Sequence, residues 1–117
     1  MQGFGLIIED LDASTVRIAL YGDLDLAHAY TFDEELQLVE ARRPDAVVID
    51  LRELSFLDSC GLARLLAARR RARRLGHRLV LVRGSATVQR LFALAAVDES
   101  FEMVSEPPPA ATVARSL

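Results

Sequence analysis

The segment Ala46-Val47-Val48-Ile49-Asp50-Leu51 is a nearly unbroken apolar run rich in β-branched residues. A strand of this kind belongs in the middle of a sheet, covered on both faces. The chain around it must then supply flanking strands and the helices that cover them.

Those elements can be read from periodicity. Residues 4–9 and 15–22 read as two short strands, the second alternating Val16, Ile18, Leu20 against Arg17, Ala19, Tyr21. Leu11-Asp12-Ala13-Ser14 between them suits a hairpin turn, and Gly22-Asp23-Leu24-Asp25 reads as a polar break. A helix is expected over about 27–42, with Ala29, Phe32, Leu36 and Val39 on one face and Pro44 as its stop. Asp33, Glu34 and Glu35 lie in its first half and Arg42 and Arg43 at its end, the order that the helix dipole favours.

After the central strand, residues 52–58 read as a loop. A helix over 59–75 follows, burying Leu62, Leu65, Leu66 and Ala72, with Gly76 at its C-terminal end. Residues 78–82 form the next strand. Ser85 can cap a third helix reaching about Ala96, with Val88, Leu91, Phe92 and Ala95 inward, and 101–104 make a last strand. The expected fold is a single α/β domain over 1–106. Its sheet is mixed but mostly parallel, with four to five strands and three to four helices. Pro107-Pro108-Pro109 open a tail over 107–117 that is expected to be extended and flexible.

Composition narrows the function. The chain has 117 residues, 51% of them hydrophobic, enough for one core. No apolar run approaches the roughly 18–20 residues of a membrane span and no basic-then-apolar leader is present, so the expectation is a cytosolic protein. The single cysteine, Cys60, agrees with a reducing compartment. His28 and His77 lack cysteine neighbours at ligand spacing and read as surface residues near helix ends; no metal or other cofactor is expected. All 14 basic residues are arginine, which excludes Schiff-base lysines and the phosphate-binding lysine of nucleotide loops. Charge is also segregated: residues 1–58 hold 13 acids and 4 arginines, residues 59–117 hold 4 acids and 10 arginines. Such asymmetry can orient a partner during encounter.

The candidate site is Asp58-Ser59-Cys60-Gly61. Alone, Asp58-Ser59 before a helix is a capping signal. In this arrangement a buried strand ends, a loop returns the chain past the sheet edge, and a serine opens the next helix. Its hydroxyl faces solvent near free backbone N–H groups and the positive end of the dipole, where a phosphate is tolerated. Gly61 is expected to let another surface approach the backbone closely. As a nucleophile Ser59 would need a base, and the candidates are only Asp58, Asp23 and Asp25. His77 belongs roughly 25 Å away, at the far end of the helix. The serine therefore reads as a substrate rather than a catalyst, and the protein as no enzyme.

Asp50-Leu51 through Phe56-Leu57-Asp58-Ser59-Cys60-Gly61-Leu62 resembles the signature of STAS domains, specifically the anti-sigma factor antagonist (anti-anti-sigma factor) branch. Gly22-Asp23-Leu24-Asp25 and the helix bearing Ala29 resemble that family's other recurrent element, so the likeness spans about residues 4–104. It implies a protein that binds an anti-sigma factor with a histidine-kinase-like ATPase fold and so releases a sigma factor. It also implies that this kinase phosphorylates Ser59, ending the interaction, and that a phosphatase resets it. Asp23, Asp25, Asp58, Ser59, Cys60 and Gly61 match the partner-binding positions. Cys60 departs from the serine, alanine or threonine common there and reads as an inert small residue. A second reading is a static STAS adaptor, such as one docking on the ATPase of a lipid-transport ABC system.

Arg69, Arg70, Arg71, Arg73, Arg74 and Arg78 read as a solvated outer face, with contact to an acidic partner as the other use. Nucleic-acid and membrane partners are not expected, since the chain is acidic overall and has no aromatic stacking set.

Overall fold

The computed structural model describes residues 3–108. The expected tail lies outside the described residues from Pro109 onward. In chain order the elements are β1 (Phe4–Asp10), β2 (Thr15–Leu24), α1 (Ala29–Glu40), β3 (Ala46–Asp50), β4 (Leu54–Leu57), α2 (Ser59–Leu75), β5 (Arg78–Val82), α3 (Ala86–Leu94), a 3-10 turn (Asp98–Ser100) and β6 (Glu102–Val104).

The sheet runs β1-β2-β3-β5-β6, with β4 paired to β2 off that path. Only the β1–β2 hairpin is antiparallel. Its turn is held by Asp12, whose carboxylate accepts the Ser14 N–H at 2.9 Å. Every residue of β3 is buried, as its apolar run requires. One core takes Val16, Ile18 and Leu20 from β2, Val47 and Ile49 from β3, and the inner faces of all three helices. A smaller cluster of Val48, Val80 and Val82, with Leu11 and Val104, packs the reverse face of the sheet.

Six strands replace the expected four to five, and the extra one corrects the sequence reading: Leu54–Leu57 is a strand, not part of a loop. β2 explains it. Its first half, Thr15–Ala19, pairs with β3, and its last residues, Gly22–Leu24, pair with β4 after a register shift between Gly22 and Asp23. The expected polar break at 22–25 is therefore mostly the end of β2. Gly22 sits at φ +78, and a Cβ there would fall 1.8 Å from the Gly3 carbonyl oxygen, so the bulge needs glycine.

The helices start and stop where their caps dictate. α1 is shorter than the expected 27–42, because Arg43 turns to φ 56 ahead of Pro44. Ala29, Phe32, Leu36 and Val39 are buried as expected, but no acid lies in the first turn. Asp33 serves another purpose: it and Glu40 are buried, and Arg71 of α2 reaches them at 3.1 and 2.8 Å. Arg71 thus bridges α1 to α2 and is no part of a solvated face. α2 matches its expected span, closed by Gly76 at φ 82. The Ser85 hydroxyl caps α3 through the Val88 N–H at 3.3 Å, while Ala95, expected inward, is exposed.

Candidate functional site

β4 delivers the chain to Asp58, the residue that assembles the site. Asp58 is the N-cap of α2 in extended conformation, and its Oδ1 accepts the Gly61 N–H at 2.9 Å. Its Oδ2 accepts the Leu26 N–H at 3.2 Å, and its own N–H donates to the Leu24 carbonyl at 3.3 Å. One side chain therefore ties the start of α2 to the loop leaving β2. The cap is Asp58, so Ser59 is the first helical residue and its hydroxyl is exposed.

Gly61 corrects a further expectation. It is buried, and a Cβ there would lie 2.3 Å from the Leu24 carbonyl oxygen and 2.7 Å from Leu57 Cδ1. The close approach that this glycine permits comes from β2 of its own chain. The helix start is thereby pressed onto Leu24 and Leu57, both buried.

Asp23 and Asp25 lie on the neighbouring segment. Asp23 is buried near the end of β2, in register with Phe56 of β4. Asp25 shares a 2.7 Å hydrogen bond with His28 Nδ1 in the turn before α1. The sequence layout put no histidine near Ser59, yet the Leu26–Asp58 bond carries the His28 turn to the same edge of the molecule. His28 is engaged there: its ring stacks on Phe4 at 5.7 Å. Both Asp58 oxygens thus accept backbone N–H groups, and Asp25 is engaged by His28.

Cys60, the residue after the serine, opens onto a largely apolar hollow. Leu26 and Tyr30 are 69% and 74% exposed and, with Ala29, Cys60, Ala63 and Arg64, line an open hollow of about 230 Å³. Phe56 is exposed three residues before Ser59. Exposed aromatic and aliphatic side chains in a group are what a docking surface offers. Leu26 and Tyr30 belong to no motif read from the sequence, and Phe56 was read only as part of the signature before Ser59. The available signal was that Tyr30 stands beside, not on, the apolar stripe of α1, and that Leu26 interrupts an acidic loop.

Behind the site, Asp50 at the end of β3 is 2% exposed and held by two arginines. Arg17 donates from Nε and Nη2 at 3.1 and 2.8 Å, and Arg52 from Nη2 at 2.8 Å. Burial opposes ionisation of this carboxyl, but the hydrogen bonds from Arg52 and Arg17 outweigh it and hold its pKa below the ordinary 3.8. The pair Arg17–Arg52 thus locks the β3 end from which β4 departs. Among the described residues no three His, Cys, Asp or Glu side chains are grouped to hold a metal ion, and no helix is long and apolar enough to cross a membrane.

The family model described as "Mlab, STAS domain" matches residues 7–105. The anti-sigma-F factor antagonist RsfB of Mycobacterium tuberculosis is 35% identical over 91 residues, covering 75% of this chain and 71% of that protein. An anti-sigma factor antagonist from Mycobacterium paratuberculosis superposes with a TM-score of 0.80 at 25% identity, over 97% of this chain and 95% of its own. SpoIIAA, an anti-sigma factor antagonist and Bacillus cell fate determinant, shares the fold in its unphosphorylated form. The TM-score is 0.78 at 22% identity, with 97% of this chain and 98% of that one covered. Its phosphorylated form gives a TM-score of 0.70 at 20% identity, with 97% and 100% covered.

Proposed function

The chain belongs to the STAS domain family, and on that premise we propose that it is a cytosolic anti-sigma factor antagonist switched by phosphorylation of Ser59. In its unmodified state it binds an anti-sigma factor of the serine-kinase type, so that a sigma factor is released. Phosphorylation by that kinase ends binding, and a phosphatase restores it. The domain itself performs no catalysis.

One observation carries this reading. An exposed serine opens a helix whose cap is already supplied by Asp58, and the next residue, Cys60, lines a hollow with the exposed Leu26 and Tyr30. The fold does not need the hydroxyl, so the hydroxyl is available for modification. The helix N-terminus tolerates added negative charge. A partner seated on the apolar surface, by contrast, would have to desolvate a dianion.

The names of RsfB and of the 28% identical anti-sigma-B factor antagonist of Listeria monocytogenes favour the switch over a static adaptor. The test is to incubate the protein with kinase-fold anti-sigma factors and ATP and to map modification by mass spectrometry. Phosphate on Ser59 is the expected result. Phosphate on Ser55 or Ser85 with Ser59 unmodified overturns the assignment, and a stable complex that never phosphorylates the protein indicates the adaptor.

A further inference from the structure

The arginines of α2 do not share one role. Arg71 is consumed by Asp33 and Glu40, and Arg78 of β5 is paired with Glu102 of β6. Arg69 and Arg73 form no salt bridge among the described residues. They stand one turn apart on α2 and line a half-open cleft of about 180 Å³ together with His77, Arg78, Ser100 and Glu102. This cleft lies at the opposite end of α2 from Ser59, about 25 Å away for a helix of 17 residues.

Three arginines against one carboxylate leave the cleft positive, and Glu102 is already committed to Arg78. Two nitrogens of the lining residues, Arg69 Nε and His77 Nε2, are themselves buried without a hydrogen-bond partner among the described residues. Leaving buried polar atoms unpaired is costly, and such atoms in a native structure call for an explanation. The carbonyls at the end of α2, whose charge would repel an anion, are partly occupied: Ala72 O accepts the N–H groups of Gly76 and His77 at 2.8 and 3.1 Å. The space equals roughly six water molecules at about 30 Å³ each, enough for a tetrahedral oxyanion.

From this we infer that the cleft between the C-terminal end of α2 and the Ser100–Glu102 segment is a binding site for a phosphate group. Arg69 and Arg73 supply the charge-assisted donors and Ser100 a hydroxyl, while His77 completes the wall. The half-open mouth leaves room for an ester chain, so free phosphate and a small phosphate monoester share the chemistry that the cleft recognises. The site stands independently of the switch at Ser59.

The experiment follows amide resonances of the full chain during titration with inorganic phosphate and, separately, with glycerol phosphate, at constant ionic strength. Saturable shifts confined to residues around 69–79 and 100–102 are expected. A larger response to the ester would identify a monoester as the ligand, and an equal response would identify the bare anion. Arg69→Ala with Arg73→Ala is expected to weaken binding at least about tenfold, the effect of losing one good charge-assisted contact. Arg70→Ala with Arg74→Ala removes the same charge from α2 outside this cleft and should leave binding unchanged. Arg73 is exposed, so Arg73→Glu alone is expected to abolish binding in a folded protein. Non-saturating shifts, or equal weakening by the two double variants, would show a diffuse basic surface and overturn the inference.

Discussion

Asp58 and Leu26 lie 32 positions apart in sequence and are joined by one hydrogen bond of 3.2 Å, from the Leu26 N–H to Asp58 Oδ2. The other carboxylate oxygen caps α2. The residue that starts the helix bearing Ser59 therefore also holds the loop carrying the exposed Leu26. Asp58→Ala should cost about 0.5–2 kcal/mol in urea denaturation, the range for a lost N-cap. It should also weaken partner binding beyond that of Ser59→Ala, because Leu26 is released. An Asp58→Ala protein as stable as wild type would remove the cap from the account.

Gly61→Ala separates an internal role from an interfacial one. The added methyl would meet the Leu24 carbonyl oxygen at 2.3 Å, and backbone cannot yield cheaply. A loss of about 1–3 kcal/mol is expected, as for other overpacked sites. Thermal denaturation of the isolated domain decides it: an unchanged melting temperature would mean that Gly61 serves only partner contact.

Local signals in the sequence mark some of these elements and not others. α2 was legible from end to end, because Asp58 before it and Gly76 after it are local signals. β4 was not: Leu54-Ser55-Phe56-Leu57 is four residues long, and it becomes a strand only because β2 bulges at Gly22–Asp23 to receive it. The serine and its capping acid were legible as a motif, while the role of Gly61 depends on Leu24 arriving from β2. Arg71 looked like its arginine neighbours, since its partners are 31 and 38 residues distant on another helix.

That difference between arginines can be measured. Arg71→Ala would leave Glu40 buried without its cation and Asp33 with only the more distant Arg64 at 3.9 Å, and should cost about 3–5 kcal/mol. Arg70→Ala, on an exposed residue one position earlier, should stay within about 0.5 kcal/mol of wild type. Equal stabilities of the two variants in denaturant would contradict the bridge between α1 and α2.

Asp50 gives the fold an acid-sensitive lock. Its folded pKa lies below its ordinary 3.8, so its contribution is complete above that value and is lost as pH falls through the lower folded value. Stability should therefore decline on acidification below about pH 4, the unfolded carboxyl range. Asp50→Asn should be less stable at neutral pH and show a flatter acid limb. A variant whose acid limb matches wild type would mean that other carboxylates carry that slope.

Phosphorylation is expected to act at the interface and leave the domain's own fold in place. The added charge of about −1.5 to −2 meets the positive end of α2, a gain of roughly 0.3–1 kcal/mol that the adjacent Asp58 offsets. A partner covering Ser59 faces a cost of several kcal/mol, and about 1.4 kcal/mol already lowers affinity tenfold. The direct measurement is the affinity of the kinase-type anti-sigma factor for wild type and for Ser59→Asp by calorimetry, paired with amide spectra of both proteins. Ser59→Asp is expected to lose at least tenfold in affinity, with shifts limited to the start of α2 and the Leu26 loop. Equal affinities, or shifts spread through the sheet, would contradict it.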